Sequence, residues 1–586
     1  MVIKCDFLVI GGGAAAGKAA LEAYENGATV MMAMKGAFGT SGASAYQIAE
    51  ILGYNAADGE ADSEDSPAVH YEDIMRAAAG MADSKLAKIV AYEAIESLRD
   101  LEKLDIPFHK TEEGKYLEVL GCFATKPRMH LVPGHAEPIV RAQKQAIQEK
   151  KIEVFEWTII TKLLTEENRV VGAMGINKNG EIVIFESKAV FLGTGGAGQL
   201  FSYNINPSDI TGDGYSLGFH AGAELKNMEF MQAGPGLIHP CKNMFNSWLW
   251  AVHPKLTNGN GEEFLSNYLP VGMTAERCMD LRSGHYPFSN YDGSHWIDIA
   301  IQTEIKDGRS GSHGGIIADF TEINLDNLPK NSRGNEIRES WHITNEWLKE
   351  NRGLDLTKTP VEIAILGHAI NGGLCINEDG LTTIQGLYAA GETTSGPHGA
   401  DRLGGNMVLT CQIFGKRAGR AAANYIREVD STTLPIYQIE SEQDRLQQLK
   451  NKRGTVKPHH LKKELQSIMW RNVLVTRTEE SLNTALNGIK KLQKKFQEEV
   501  SVTNNKELLH AMEAENLMLI GEVITRAARL RKETRGSHCR LDFPERDDEN
   551  YLFNILMKLN GDKITHRTIS ADPENVRRYP YEIAHA

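Results

Sequence analysis

The chain opens with two periodicities in succession. Phe7-Leu8-Val9-Ile10 is an unbroken apolar run, the pattern of a strand buried on both faces. A turn of glycine and alanine covers residues 11–16, and residues 17–26 carry helical spacing. A second apolar strand over residues 29–34 arrives at the spacing of a βαβ unit. The same grammar returns late in the chain. Residues 387–390 form a short apolar strand, Gly391-Glu392 opens a glycine-rich loop that passes Arg402, and a helix is predicted from about Asn406 towards Asn424.

Between these ends, residues 170–174 and 182–187 read as two strands joined at an Asn179-Gly180 hairpin turn. Residues 189–192 form a further apolar strand running into Gly193-Thr194-Gly195-Gly196, and a helix starts near Asp213. From about 229 to 353 the chain is rich in Trp, Pro, Asn and Gly with few long periodic segments, which reads as an inserted domain. Charge-rich helices are predicted over residues 441–449, 460–473, 481–500 and 506–532. The expected organisation is an α/β Rossmann-like domain over 1–228 and 354–429, an α+β insert over 229–353, and a helical C-terminal domain over 430–586. The acidic segment 58–67 reads as a solvated loop.

The N-terminal turn fits G-x-G-x-x-A through Gly11, Gly13 and Ala16. Glycines let a pyrophosphate approach the helix N-terminus, whose first N–H groups lack partners. One expected element is missing. The second strand should end in an acid for the ribose, but Met34 is followed by Lys35. Backbone or another side chain must then hold those hydroxyls. In the late loop, Arg402 supplies a fixed charged fork suited to a small anion.

Composition narrows the function classes. Hydrophobic content of 41% and charged content of 24% describe an ordinary globular protein, and a net charge of −13 argues against nucleic acid. No run reaches the length of a membrane span, and the first strand begins too early for a signal peptide, so a cytoplasmic location is expected. The seven cysteines are scattered without a C-x-x-C pair, so no metal site is read and any iron–sulfur cluster would sit on a partner. Lysines and arginines cluster in the C-terminal helices, as at Lys490, Lys491, Lys494 and Lys495. They read as a solvated face or a dock for an acidic electron carrier.

Taken together, the motifs resemble the flavoprotein subunits of the fumarate reductase, succinate dehydrogenase, L-aspartate oxidase and adenylylsulfate reductase superfamily. The resemblance rests on GGGAAAG at 11–17, TSGASA at 40–45, GTGGAGQLF at 193–201, TGDGYSLGFHAGAELKNMEFMQ at 211–232, the run 367–407 and RKETRGSHCRLDFPERDDENY at 531–551. It implies FAD, a cap over the flavin, and often an iron–sulfur partner. Gly11, Gly13, Ala16, Lys35, Ser41, Gly42, Gly195, Gly196, Asp213, Glu392 and Asn406 are the expected cofactor-binding positions. Where membrane-bound members carry a flavin-linked histidine, Ser41-Gly42-Ala43-Ser44 has none, so FAD is expected to be non-covalent. Arg402 and His368 match substrate-binding positions.

Two family positions depart. A substrate-binding histidine is replaced by Gly234, and the arginine that donates a proton in fumarate reduction falls at Ser294 or His295. His295 becomes the nominal acid–base residue. Residues 247–265 look more like adenylylsulfate reductase. The resemblance therefore implies an FAD oxidoreductase acting on a small anion other than fumarate, sulfur-containing compounds included, with a ferredoxin-like iron–sulfur partner. A self-sufficient enzyme using a diffusible acceptor and a non-catalytic flavin-binding protein are the alternatives.

Overall fold

The computed structural model describes residues 2–430 and 433–571. The tail of the region expected to form the C-terminal domain, residues 572–586, lies outside the described residues. The strand Val2–Ile10 sits at the centre of the main sheet. It pairs in parallel with Val30–Ala33 on one side and Ile182–Leu192 on the other. Leu387–Ala389 adds a further parallel strand beside residues 190–192. The carboxyl ends of these strands, at Ile10, Leu192 and Ala389, come together at one edge, where open α/β sheets bind ligands. Phe7, Leu8 and Val9 are completely buried, as the unbroken apolar run requires.

The runs 182–187 and 189–192, separate in the sequence pattern, form one strand, which pairs antiparallel with Arg169–Ile176. Ser187 interrupts the apolar pattern without breaking the strand. Its buried hydroxyl donates to the Ala189 carbonyl at 2.6 Å, lies 3.1 Å from that of Asp6 and accepts from the Leu8 N–H.

The helix Ala14–Glu25 leaves the first strand, and Asn406–Glu428 leaves the late loop. The two helices pack closely through small residues. A Cβ at Gly415 would come within 2.8 Å of the Ala15 carbonyl oxygen, and one at Gly419 within 2.6 Å of the Ala19 oxygen.

A second sheet joins Asn243–Met244, Met231–His239, Val361–Ile370, Ile316–Asp319 and Lys255–Thr257. Val361–Ile370 lies beyond the boundary expected at 353, because its long antiparallel pairing with Met231–His239 ties it to the inserted region. This region also contains the helix Ser332–Arg352. That helix is absent from the sequence-based expectation although it carries a start and a stop signal, an Asn331 N-cap and Gly353 at φ 65°.

Four C-terminal helices, Ile436–Lys450, Pro458–Asn472, Glu479–Glu499 and Asn505–Leu530, fall close to expectation. A hairpin not foreseen in the sequence follows them. Phe553–Asn560 pairs with Lys563–Ser570 and docks on Leu225–Lys226. The second arm, KITHRTIS, is mostly exposed, so little hydrophobic alternation marks it. Nor is the acidic segment 58–67 merely solvated. Asp62 pairs with Lys126 at 2.8 Å, Asp65 with Arg128 at 2.7 Å, and Ser66 caps the helix Pro67–Ala77.

Candidate active site

A cavity of about 330 Å³ opens at the carboxyl ends of the parallel strands. Gly11, Gly13, Lys35, Ser41, Gly42, Gly195, Asp213, Glu392, Arg402 and His368 all border it. Residues separated by most of the chain are thus brought to one groove. Two helix N-termini face it, capped by Gly13 and Gly405, and neither has a side-chain cap. Ala14 N–H donates to Ser44 Oγ at 3.4 Å and Asn406 N–H to the Leu403 carbonyl at 3.2 Å, while the other first-turn N–H groups lack an intrahelical acceptor and suit an anionic ligand. Gly11 is at φ 118°, and a Cβ there would lie 2.2 Å from the Gly193 oxygen. Only glycine allows the two turns to approach so closely.

Three expected cofactor positions do not line the cavity. Ala16 packs the first helix against the turn at Gly193, where a Cβ would meet the Ala16 methyl at 2.9 Å. Gly196 acts through its neighbour: its backbone N–H bonds the Glu392 carboxylate, which a Cβ at 196 would strike at 2.2 Å. The Asn406 side chain is engaged elsewhere, accepting from Asn55 at 2.7 Å and contacting His70 Nε2 at 3.1 Å.

Lys35 is held firmly in place. Its ammonium donates to Thr211 at 2.6 Å, Asp213 at 2.8 Å and Glu513 at 3.2 Å. Burial disfavours its charge, but Asp213 and Glu513 outweigh that effect and hold its pKa above the usual lysine value. Lys35 and Asp213 therefore form a salt-bridged wall rather than two free ligands.

Arg402 is buried, and its pKa is lowered by that burial, with Cys122 and Glu392 pulling the other way. Its Nε donates to the Gln232 amide oxygen at 3.0 Å and its Nη1 to the Leu403 carbonyl at 3.2 Å. Glu392 accepts from the Ile370 N–H at 3.0 Å, and burial pushes its pKa up to about 7. Burial, with the Arg402 and His135 charges, presses the His368 pKa down to about 3. His368 is therefore neutral at physiological pH, a hydrogen-bonding group rather than a cationic acid.

Several other groups on the same walls carry no sequence signal of their own, among them Cys122, His135 and Tyr286. The Nδ1 atoms of His135 and His368 and the Tyr286 hydroxyl are buried without hydrogen-bond partners. Orphaned polar atoms around one cavity are what a polar ligand would satisfy. Tyr286 also explains Gly234. A Cβ at 234 would lie 2.9 Å from the tyrosine ring and 3.0 Å from its carbonyl oxygen. The ring occupies the space into which a histidine at 234 would project.

His295 does not border the cavity. It begins the helix His295–Lys306, with Nδ1 2.6 Å from the Asp292 carbonyl and its ring beside Phe288 and Trp296. Tyr286 and Pro287 are the residues of this stretch that reach the cavity wall. Arg282, upstream, is spent on a buried pair with Asp298 at 2.9 and 3.0 Å. A short alignment could not reveal this, since side-chain direction near a helix start changes by about 100° per residue.

Comparison with known proteins accords with this geometry. Residues 6–408 match the family model described as an FAD binding domain, and residues 462–583 match that of the fumarate reductase flavoprotein C-terminus. The chain is 34% identical to one of the subunits of the fumarate reductase (CoM/CoB) of Methanothermobacter marburgensis over 552 residues, 92% of this chain and 95% of that one. A solved structure of Mycobacterium smegmatis Sdh1 in complex with UQ1 superposes with a TM-score of 0.83 at 28% identity, covering 97% of this chain and 94% of that one. Adenylylsulfate reductase from Archaeoglobus fulgidus shares the fold, with a TM-score of 0.74 at 22% identity over 97% and 96% of the two chains. Among the described residues no helix is long and apolar enough to cross a membrane. The glycine cradle, the two open helix ends and these matches lead to one conclusion: the chain belongs to the FAD-binding flavoprotein family of fumarate reductase, succinate dehydrogenase and L-aspartate oxidase, and is an FAD-dependent oxidoreductase.

Proposed function

We propose that this chain is the flavin-bearing component of an oxidoreductase that acts on a small anion other than fumarate and exchanges electrons with a ferredoxin-like iron–sulfur protein. FAD, held non-covalently against Gly11, Gly13, Ser41, Gly42 and Gly195, would supply two-electron hydride chemistry and one-electron transfer to a partner. The observation that carries the reading is Arg402. It is a buried guanidinium on the cavity wall whose protein partners are an amide and a carbonyl, with no ion pair among the described residues. A buried charge of this kind is strongly disfavoured until an anion arrives. His368 and Tyr286 lie on the same wall and would direct hydrogen bonds at the bound anion.

The departure from fumarate rests on what surrounds Arg402. Tyr286 fills the space beside Gly234, and His295 lies off the cavity. A charged group aimed at developing charge commonly contributes about 3–4 kcal/mol, so lacking two such groups slows that reaction by several decades. Fumarate itself is the second reading, favoured by the 34% identity to the Methanothermobacter protein.

The test uses the purified full chain with its flavin and a viologen dye, assayed against small carboxylates, sulfur oxyanions and fumarate. Arg402→Ala should lower kcat/KM by about a hundredfold or more with flavin content intact. Acid precipitation should release the flavin into the supernatant. Fumarate as the best substrate, or full turnover in the Arg402 variant, would overturn the reading. Useful rates with O₂ or NAD(P)H alone would remove the iron–sulfur partner from it.

A further inference from the structure

On the far side of the strand that carries Met129 towards the flavin cavity, three side chains converge. Asp58 Oδ2, Glu118 Oε1 and His130 Nε2 lie within 4.8 Å of one another. Met129 borders the cavity, and His130, the next residue on the strand Met129–Pro133, points to the other face. The three residues come from the acidic loop, the short strand Glu118–Val119 and that neighbouring strand.

We infer that this cluster is a binding site for one divalent transition metal, zinc in the first instance, distinct from the flavin site. His130 Nε2 stands 3.3 Å from the Asp58 oxygen and 3.2 Å from the Glu118 oxygen. Ligands bound at zinc's usual distances in tetrahedral geometry stand about 3.3–3.5 Å apart. Direct charge-assisted N–H···O bonds would be nearer about 2.8 Å, and one Nε2 proton cannot serve two carboxylates well.

The surroundings fix each ligand. His130 Nδ1 lies 3.2 Å from the Arg128 carbonyl, the outer contact that leaves the Nε2 lone pair free to ligate. Asp58 accepts the Glu60 N–H through Oδ1, and Glu118 accepts the Ala61 N–H through Oε2. Each carboxylate thus keeps its second oxygen for the centre.

A second observation points independently to a ligand. The Glu118 side chain is 1% exposed, yet its Oε1, aimed at the centre of the cluster, accepts no well-formed hydrogen bond. Nor is the cluster simply acidic surface. Asp62, Glu64 and Asp65 of the same segment are each paired with Lys126 or Arg128, whereas Asp58 and Glu118 have neither a lysine nor an arginine partner and face His130 and each other. Two carboxylates and an imidazole make the mixed oxygen and nitrogen set that a divalent transition metal takes, and the carboxylates supply charge to balance it. The Asp58 side chain remains 17% exposed, which gives an entry path and room for a water as fourth ligand. The metal would clip the acidic loop onto the sheet.

The full-length flavoprotein, treated with dipicolinate and desalted, should take up about one Zn²⁺ per chain by mass spectrometry and by competition with a chromophoric chelator. Its Tm should rise by several degrees. Glu118→Gln and Asp58→Asn keep the shape of the site and should weaken zinc by about a hundredfold or more, with flavin content and dye-linked turnover unchanged. A wild-type protein that takes up no zinc, manganese or ferrous iron at micromolar concentration would overturn the inference. So would a Glu118→Gln variant that binds zinc as tightly as the wild type, since the metal would then sit elsewhere.

Discussion

Guanidinium groups are buried at several places in this molecule, and two of these regions treat them in opposite ways. Behind the last long helix, Arg531, Arg535 and Arg540 are completely buried and matched to acids. Arg531 bonds Glu229 and Glu533, each at 2.8 Å. Arg535 takes both oxygens of Glu533 at 2.8 and 2.9 Å and adds Asp548 at 2.7 Å. Arg540 reaches Asp542 at 2.8 Å. At the cavity, Arg402 has only neutral oxygens from Gln232 and Leu403. Its nearby acid, Glu392, is pushed towards the neutral form by burial. The first region is a finished ion network, and the second holds a charge in reserve. Arg477 sharpens the distinction. It too bonds carbonyls, and His538, rather than acids, and burial lowers its pKa to about 10, but it does not border the flavin cavity. Absence of a carboxylate becomes a binding signal only where a ligand can reach the group.

The contrast breaks most visibly at Glu533. Glu533→Gln leaves Arg531 and Arg535 short of charge in a dry interior, and should destabilise the protein by about 3–5 kcal/mol in urea unfolding. A loss below about 1 kcal/mol would mean that the network is no more than packing.

Glu392 provides a pH test. Its folded pKa of about 7 exceeds the ordinary value of 4.5, so between those limits the folded state holds a proton that the unfolded chain has released. Stability is greatest below about pH 4.5 for this group, falls as pH rises towards 7, and then levels. Relative to Glu392→Gln, the wild type should lose about 3 kcal/mol across that window. Parallel stability curves for the two proteins would show that Glu392 ionises normally.

Arg402→Gln should have the smallest effect on folding. Removing a charge with no ionic partner should change stability by less than about 1 kcal/mol, or raise it. A loss as large as that at Glu533 would show that Arg402 belongs to the structural class.

The sequence reveals those parts of the site whose chemistry is local. Gly11, Gly195 and Gly405 sit at turns that demand positive φ, and that demand is visible as glycine. Arg402 is legible because it lies in such a loop. Tyr286, Cys122 and His135 are not, since each reaches the cavity only through pairings between distant segments. Gly234 reads as a missing histidine, but nothing in the sequence says that Tyr286 fills its space. His295 stands off the cavity for the opposite reason: its number is near enough, while its direction is set by Asp292 and the start of a helix. The hairpin at residues 553–570 is hidden because its outer arm is exposed and polar.

The glycine contacts between the two cavity-facing helices have a consequence for how this enzyme could diverge. Gly415 and Gly419 press one helix onto backbone oxygens of the other, so the separation between the glycine cradle and the Arg402 loop is set by this seam. A single added methyl group there would act as a shim, forcing the two helices apart. On the proposed function, specificity for a longer anion could thus be tuned from behind the active site.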